Sequence, residues 1–267
     1  MDTRSLVKRL ALRMLPERVL HFVKKVHYAQ VLRALSEEDE PDLKVIRHLV
    51  AIGHHVADVG ANIGVYTKHL SELVGVAGRV YSVEPTPLTF DILSSNVRKL
   101  GLKNVELKNC AISDVDGYVT MEVPQYEWGG ENFYTAHVVR HQGTTGILRR
   151  AVVASTTIDS LFSEARSNLY FIKCDVEGHE LSCVRGAVRT IERSGPAWLI
   201  EISDNPDDEE SRSHQTFHLL LASGYRAYYF DGAKLRVRNA RDRSINYFFL
   251  RPEHMRVLEE RGFPVER

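Results

Sequence analysis

Two carboxylates and three small turn residues carry the clearest chemical signal in this 267-residue chain. Asp58 lies in the short apolar run Val56–Val59, and Gly60, Asn62 and Gly64 follow it directly. A helix-like pattern then begins, with Ile63, Tyr66, Thr67 and Leu70 on one face. A strand that runs through a glycine turn into a helix N-terminus lets a nucleotide-bearing ligand press against bare backbone. The spacing is G-x-N-x-G rather than G-x-G-x-x-G, so it does not point first to a pyrophosphate. Glu84 ends the next strand-like run, Arg79–Glu84. In doubly wound α/β folds a carboxylate at that place accepts hydrogen bonds from ribose hydroxyls. Each acid alone reads equally well as a helix cap. Together, at strand ends around a glycine turn, they point to a nucleoside.

The elements that must position these residues alternate in type. Pro87–Leu100 reads as a helix stopped by Gly101, and Val105–Ala111 as a third strand. Asp116-Gly117 turns into a β-like run, Tyr118–Val123, and Val152–Ser155 returns as a strand before a short helix, Thr157–Phe162. Asn168–Asp175 is an apolar strand, His179–Arg193 a helix and Pro196–Ile202 a buried strand. A helix over 214–223 and two strands, Tyr225–Phe230 and Ile245–Leu250, complete the pattern, the last pair closing the sheet as a hairpin. Repeated strand–helix units predict a parallel sheet covered on both faces. Its ligands belong outside the carboxyl ends of the strands. There the chain places Asp58 with its glycines, Glu84-Pro85, Asn109–Ala111, the knot Lys173–Glu180 and Glu201. Backbone N–H groups at Cys110 and Ala111 can hold an adenine edge, and Gly178 lets Asp175, Glu177 and His179 gather near a helix N-terminus.

Composition bounds the rest. Lys+Arg and Asp+Glu are both 35, so no global basic field argues for a nucleic-acid partner. No apolar run has the length of a membrane span, and no secretory signal is evident. Cys110, Cys174 and Cys183 lack the paired spacing of a zinc site or a disulfide framework, which makes a reducing cytoplasm the expected compartment. Residues 1–40 form a basic helical extension with Pro16 as a breaker, and residues 41–267 one domain with an insertion at about 124–150. The extension reads either as a helical cap, packed on the domain or on a second subunit, or as a segment resting on an anionic membrane. Oligomerisation is left open.

The runs "VADVGANIGVYT", "VEPTPLTFDILSSNV", "TTIDSL", "FIKCDVEGHELSCVRGA" and "LIEI", in that order over residues 55–202, resemble the FkbM-type S-adenosylmethionine-dependent methyltransferases. The resemblance implies a class I (Rossmann-like) α/β fold with a seven-stranded, mostly parallel sheet whose last strand is antiparallel. It implies methyl transfer from S-adenosylmethionine, usually to a hydroxyl on a sugar, glycan or polyketide-like natural product. By that resemblance Asp58, Gly60, Asn62, Gly64 and Tyr66 surround the methionine part of the cofactor. Glu84, beside Pro85, holds the ribose, and Cys110 and Ala111 the adenine.

A hydroxyl is a poor nucleophile, so a base or a metal must take up its proton. His179 is the first candidate base, with Asp175 orienting the acceptor or the cofactor amine; His137 and His141 are alternatives. His179 reads equally well as a structural residue at a helix start. Asp175, Glu201 and Asp204 offer oxygens suited to magnesium, or are separate caps; no metal is predicted. No Asn-Pro-Pro-aromatic segment follows the fourth strand, which argues against a planar amine acceptor. Trp128, Phe133 and Tyr134 in the insertion either stack on the acceptor or anchor the loop. The rival classes are a non-catalytic scaffold of this fold and a nicotinamide oxidoreductase, the latter lacking its glycine spacing.

Overall fold

The structure is a computed structural model that describes residues 17–124, 137–138, 148–163 and 168–266. Helices α1 (Glu17–Ala34) and α2 (Leu43–Leu49) lead into β1 (His55–Val59), α3 (Val65–Val74), β2 (Arg79–Val83), α4 (Pro87–Leu100) and β3 (Val105–Lys108). Next come β4 (Ala111–Ile112), β5 (Gly117–Pro124), β6 (His137–Val138), β7 (Leu148–Thr156) and α5 (Ile158–Leu161). The chain continues through β8 (Leu169–Cys174), α6 (Glu180–Arg185), α7 (Val188–Ser194), β9 (Ala197–Glu201) and α8 (Arg212–Ala222). It closes with β10 (Arg226–Phe230), β11 (Leu235–Val237), β12 (Asn246–Leu250) and α9 (Pro252–Glu260).

The main sheet has the order β11-β10-β12-β9-β8-β1-β2-β3. Strands β3, β2, β1, β8 and β9 pair in parallel, while β12 runs against both β9 and β10, and β11 against β10. The central strands are apolar throughout because neighbouring residues serve opposite faces. Ile172, Trp198 and Phe249 enter one core with Phe217 and Ile191, while Phe171, Leu199 and Phe248 enter the other with Ile46, Leu70 and Leu258. Ring pairs tighten the first core: Phe217 meets Tyr247 and Phe249 edge-on at 5.1 and 4.8 Å.

Four departures from the sequence reading have identifiable causes. The sheet has eight strands rather than seven, and two of them, β12 and β11, are reversed. The closing hairpin is β10–β11, and β12 inserts between β9 and β10 instead of lying at an edge. The added strand β11 is only three residues long, too short to show a period, and is held by the fully buried Leu235. The helix expected over His179–Arg193 breaks into α6 and α7 at Gly186, where a Cβ would collide with the Ser113 carbonyl. The third strand stops at Lys108, and Ala111-Ile112 passes into a second sheet.

That second sheet, ordered β4-β7-β5-β6, is the ordered base of the insertion. Strands β5 and β7 pair antiparallel from Gly117–Ser155 to Pro124–Leu148, and β6 sets Val138 opposite Met121. Ala111, Met121 and Val153 form its small core with Val119 and Val138. Helix α1 lies on α4, where Leu32 is buried with Ile63 and Ile92, and His21 and Lys25 reach Asp91 at 2.6 and 2.5 Å. At the far edge, the outer backbone of β11 is hydrogen-bonded to residues 264–266: Leu235 N donates to Pro264 O, and Glu266 N to Leu235 O.

Candidate functional site

The strand–turn–helix at β1 folds as its glycines require. Gly60 (φ 76°) and Gly64 (φ 100°) both lie in the left-handed region, and Asn62 (φ 49°), a residue type that tolerates it, lies between them. A Cβ on Gly60 would strike the Asp175 carbonyl, so the turn packs directly on the end of β8. Beside this turn, at the carboxyl ends of β1, β2 and β8, lies a cavity open to solvent. Its lining includes Gly60, Asn62, Glu84, Pro85, Cys110, Ala111, Asp175 and His179. Of the eleven residues assigned from sequence to the cofactor or to the first-choice catalytic pair, eight therefore meet at one cavity. Asp58, Gly64 and Tyr66 are absent from its lining and stand behind the turn.

Glu84 is held with care. It is 6% exposed, and its two carboxylate oxygens accept from separate backbone N–H groups, Oε1 from Thr86 at 2.8 Å and Oε2 from Asn62 at 3.1 Å. Asn109 Nδ2 donates to the Glu84 carbonyl at 2.8 Å, fixing the chain beyond β2. Burial raises the Glu84 pKa to about 7, outweighing the N–H groups of Thr86 and Asn62 that lower it. Apolar walls from Val59, Val83, Ile112, Met121 and Val138 complete the cavity.

Behind the wall is a buried charge cluster. Asp58 is fully buried; its Oδ2 accepts from Thr67 Oγ1 at 2.6 Å, and Thr67 in turn meets Ser82 Oγ at 2.8 Å. Lys173, its register partner on β8, places Nζ 3.9 Å from Asp58 Oδ1 and 3.0 Å from Asp175 Oδ2. The same ammonium donates to the Gly60 carbonyl at 3.3 Å and stands 5.1 Å from the centre of the Tyr66 ring. Burial disfavours the Lys173 charge, but Asp175 and Asp58 outweigh it and raise its pKa. Tyr66 donates from its hydroxyl to Glu40 Oε2 at 3.2 Å, tying the linker after α1 to this cluster. Lys173 received no role from sequence. A lysine inside an apolar strand, opposite an aspartate on the next one, is the signal that marks it.

His179 occupies the N-cap position of α6, after a turn in which Glu177 (φ 52°) and Gly178 (φ 88°) are both left-handed. It is 8% exposed, and its Nε2 lies 3.0 Å from Ser113 Oγ, which also reaches Asp114 Oδ1 at 3.1 Å. Nothing in the sequence singled out Ser113. Glu201 is half-buried at the end of β9; burial, then Asp175, raises its pKa to about 7. Among the described residues no group of three acids, histidines or cysteines is placed to hold a metal, and Asp175 engages Lys173 instead. The His137 backbone pairs with Glu122 in β6. Trp128, Phe133, Tyr134 and His141 lie outside the described residues.

The strand order, the reversed β12 and a cavity beside a glycine turn at the end of β1 define a class I methyltransferase fold. Residues 58–228, well over half the chain, match the Methyltransferase FkbM domain, and the chain belongs to that family. Solved structures similar to it include an FkbM methyltransferase from Methylobacillus flagellatus KT, at 19% identity and a TM-score of 0.48 over 74% of this chain and 44% of that one. The chain thus spans under half the length of that relative. A SAM-dependent methyltransferase from Aquifex aeolicus is similar at 17% identity and TM-score 0.43, covering 83% of this chain and 97% of that one. A SAM-dependent O-methyltransferase from Thermotoga maritima is similar at 15% identity and TM-score 0.42, covering 78% and 63%. No curated protein matches the chain.

Proposed function

We propose that this protein is an S-adenosylmethionine-dependent methyltransferase acting on a hydroxyl oxygen of a sugar, glycan or polyketide-like acceptor. The observation that carries the reading is Glu84, a carboxylate lining the cavity and held by two backbone N–H groups beside the glycine turn. The residues present fit the cofactor. Gly60 gives a backbone surface no side chain can occupy, Glu84 offers acceptors for the ribose hydroxyls, and Val83, Ile112 and Met121 offer apolar walls for the base. Cys110 and Ala111 contribute the adenine edge, while Asn62 and Asp175 face the methionine end.

The bound cofactor supplies a methyl group already activated on a sulfonium. The chain must then place the acceptor oxygen about 3 Å away and in line, and take up its proton. His179 is the group we assign to the proton. Its Nε2 lies 3.0 Å from Ser113 Oγ, and Ser113 in turn reaches Asp114, so the ring is held in place beside the cavity. Lys173 holds Asp175 and the Gly60 carbonyl, keeping both sides of the turn in register.

Calorimetric titration with S-adenosylhomocysteine, with NAD in parallel, tests the reading. Micromolar binding of the first alone is expected; binding of NAD alone, or of neither, overturns it.

A further inference from the structure

Helix α1 has two unlike faces. One is sealed against α4 by Leu32 and Ala29 and fastened by the bridges of His21 and Lys25 to Asp91. The other is apolar and open to solvent. Val19, Phe22, Val23 and Val26 follow the i, i+3, i+4, i+7 spacing that makes one stripe, with Phe22 65% exposed and Val26 37%. Arg18 is exposed just ahead of the stripe, and Arg33, exposed near the other end of the helix, donates to the Lys99 carbonyl at 3.2 Å. A stripe of this kind on the outside of a packed helix marks an interaction site.

Charge identifies the partner. Residues 1–35 carry eight Lys and Arg against two acids. The whole chain holds 35 of each sign, so the remainder carries 27 basic against 33 acidic residues. A second copy presenting the same face would bring two strongly basic segments together. An anionic lipid surface attracts this end and repels the acidic body, which fixes one orientation.

We propose that the outward face of α1 docks on an anionic membrane, with Phe22 and the valines entering the headgroup region and the exposed Arg18 pairing with lipid charges. The face is the outer side of a folded, anchored helix, and no helix among the described residues is long and apolar enough to cross a membrane. The contact is therefore peripheral. It stands independently of the catalytic reading.

The test is co-sedimentation of the full chain with phosphatidylcholine vesicles, with and without phosphatidylglycerol, for the wild type and for Phe22→Glu/Val26→Glu. Both positions are solvent-exposed, so an unchanged melting temperature certifies the fold, and Phe22→Ser replaces the double variant if it does not fold. The expected result is sedimentation only with phosphatidylglycerol, weakened by salt and reduced at least roughly tenfold in the variant. No sedimentation, equal sedimentation with phosphatidylcholine alone, or binding indifferent to the substitutions overturns the proposal. A concentration-dependent dimer lost in the variant, without vesicle binding, overturns it in favour of a second copy.

Discussion

Lowering the pH through neutrality should loosen cofactor binding, and Glu84 is the group responsible. Its folded pKa lies at about 7 because burial disfavours the charge, even with Thr86 and Asn62 donating to it. The anionic form offers a remaining lone pair on each oxygen to the ribose hydroxyls; the protonated form spends one oxygen as a donor. Affinity is therefore full above the folded pKa and lost as pH falls through it. With a pKa near 7, the ionised fraction drops about tenfold between pH 8 and pH 6, and the association constant drops at most as far. Glu84→Gln removes this titration but leaves one oxygen to serve two N–H groups. One backbone donor is stranded, at a cost of about 1–3 kcal/mol read in the melting curve. Glu84→Ala should weaken cofactor binding by about 1.5–3 kcal/mol, the range for charged hydrogen bonds. The assay is S-adenosylhomocysteine calorimetry from pH 6 to 8 on wild type and Glu84→Gln. Glu201, also raised to about 7, titrates in both proteins, so only the difference in slope belongs to Glu84. Parallel slopes would refute the ribose assignment and the pKa argument together.

Two further substitutions separate architecture from chemistry. Lys173→Met leaves the fully buried Asp58 without its cation, and the partly exposed Asp175 without its partner, and should lower stability by about 3–5 kcal/mol in urea denaturation; a loss under about 1 kcal/mol would show that the cluster is neutral or hydrated. His179→Ala should leave S-adenosylhomocysteine affinity intact and reduce turnover of an identified acceptor by roughly a hundredfold. Unaltered turnover would move the proton to another group.

Much of the scaffold was legible because its signals are local. Helix α4 has the predicted bounds, with Pro87 at its first turn and Gly101 (φ 69°) as its left-handed stop. The glycine turn was read from residue types that only a left-handed backbone explains. What escaped depends on contacts distant in sequence. At the break, Ser113 approaches Gly186 from the end of β4 more closely than any side chain would allow. The place of β12 between β9 and β10 is set by burial of Phe248 and Phe249 on both faces, which a hairpin reading of the last strands does not anticipate. Helix α9 went unread, although its capping arrangement of Arg251 and His254 is local; the polar run Pro252–Glu260 buries little besides His254 and Leu258. In the site, Glu84 announced itself by position. Ser113, a serine among many, becomes visible only once β4 delivers it to His179.

The backbone hydrogen bonds from residues 264–266 to β11 have a colloidal consequence. An uncovered sheet edge is a template on which another chain's strand can grow. Here the edge beyond β11 is capped by the protein's own backbone, and Lys234 and Arg236 clasp Glu266 at 3.2 and 2.8 Å to hold that cap in place. The opposite border, β3, is short and carries Glu106 and Lys108 in place of a flat apolar ledge. With both borders guarded in this way, the eight-stranded sheet is a finite object that offers neither of its edges to another chain's strand.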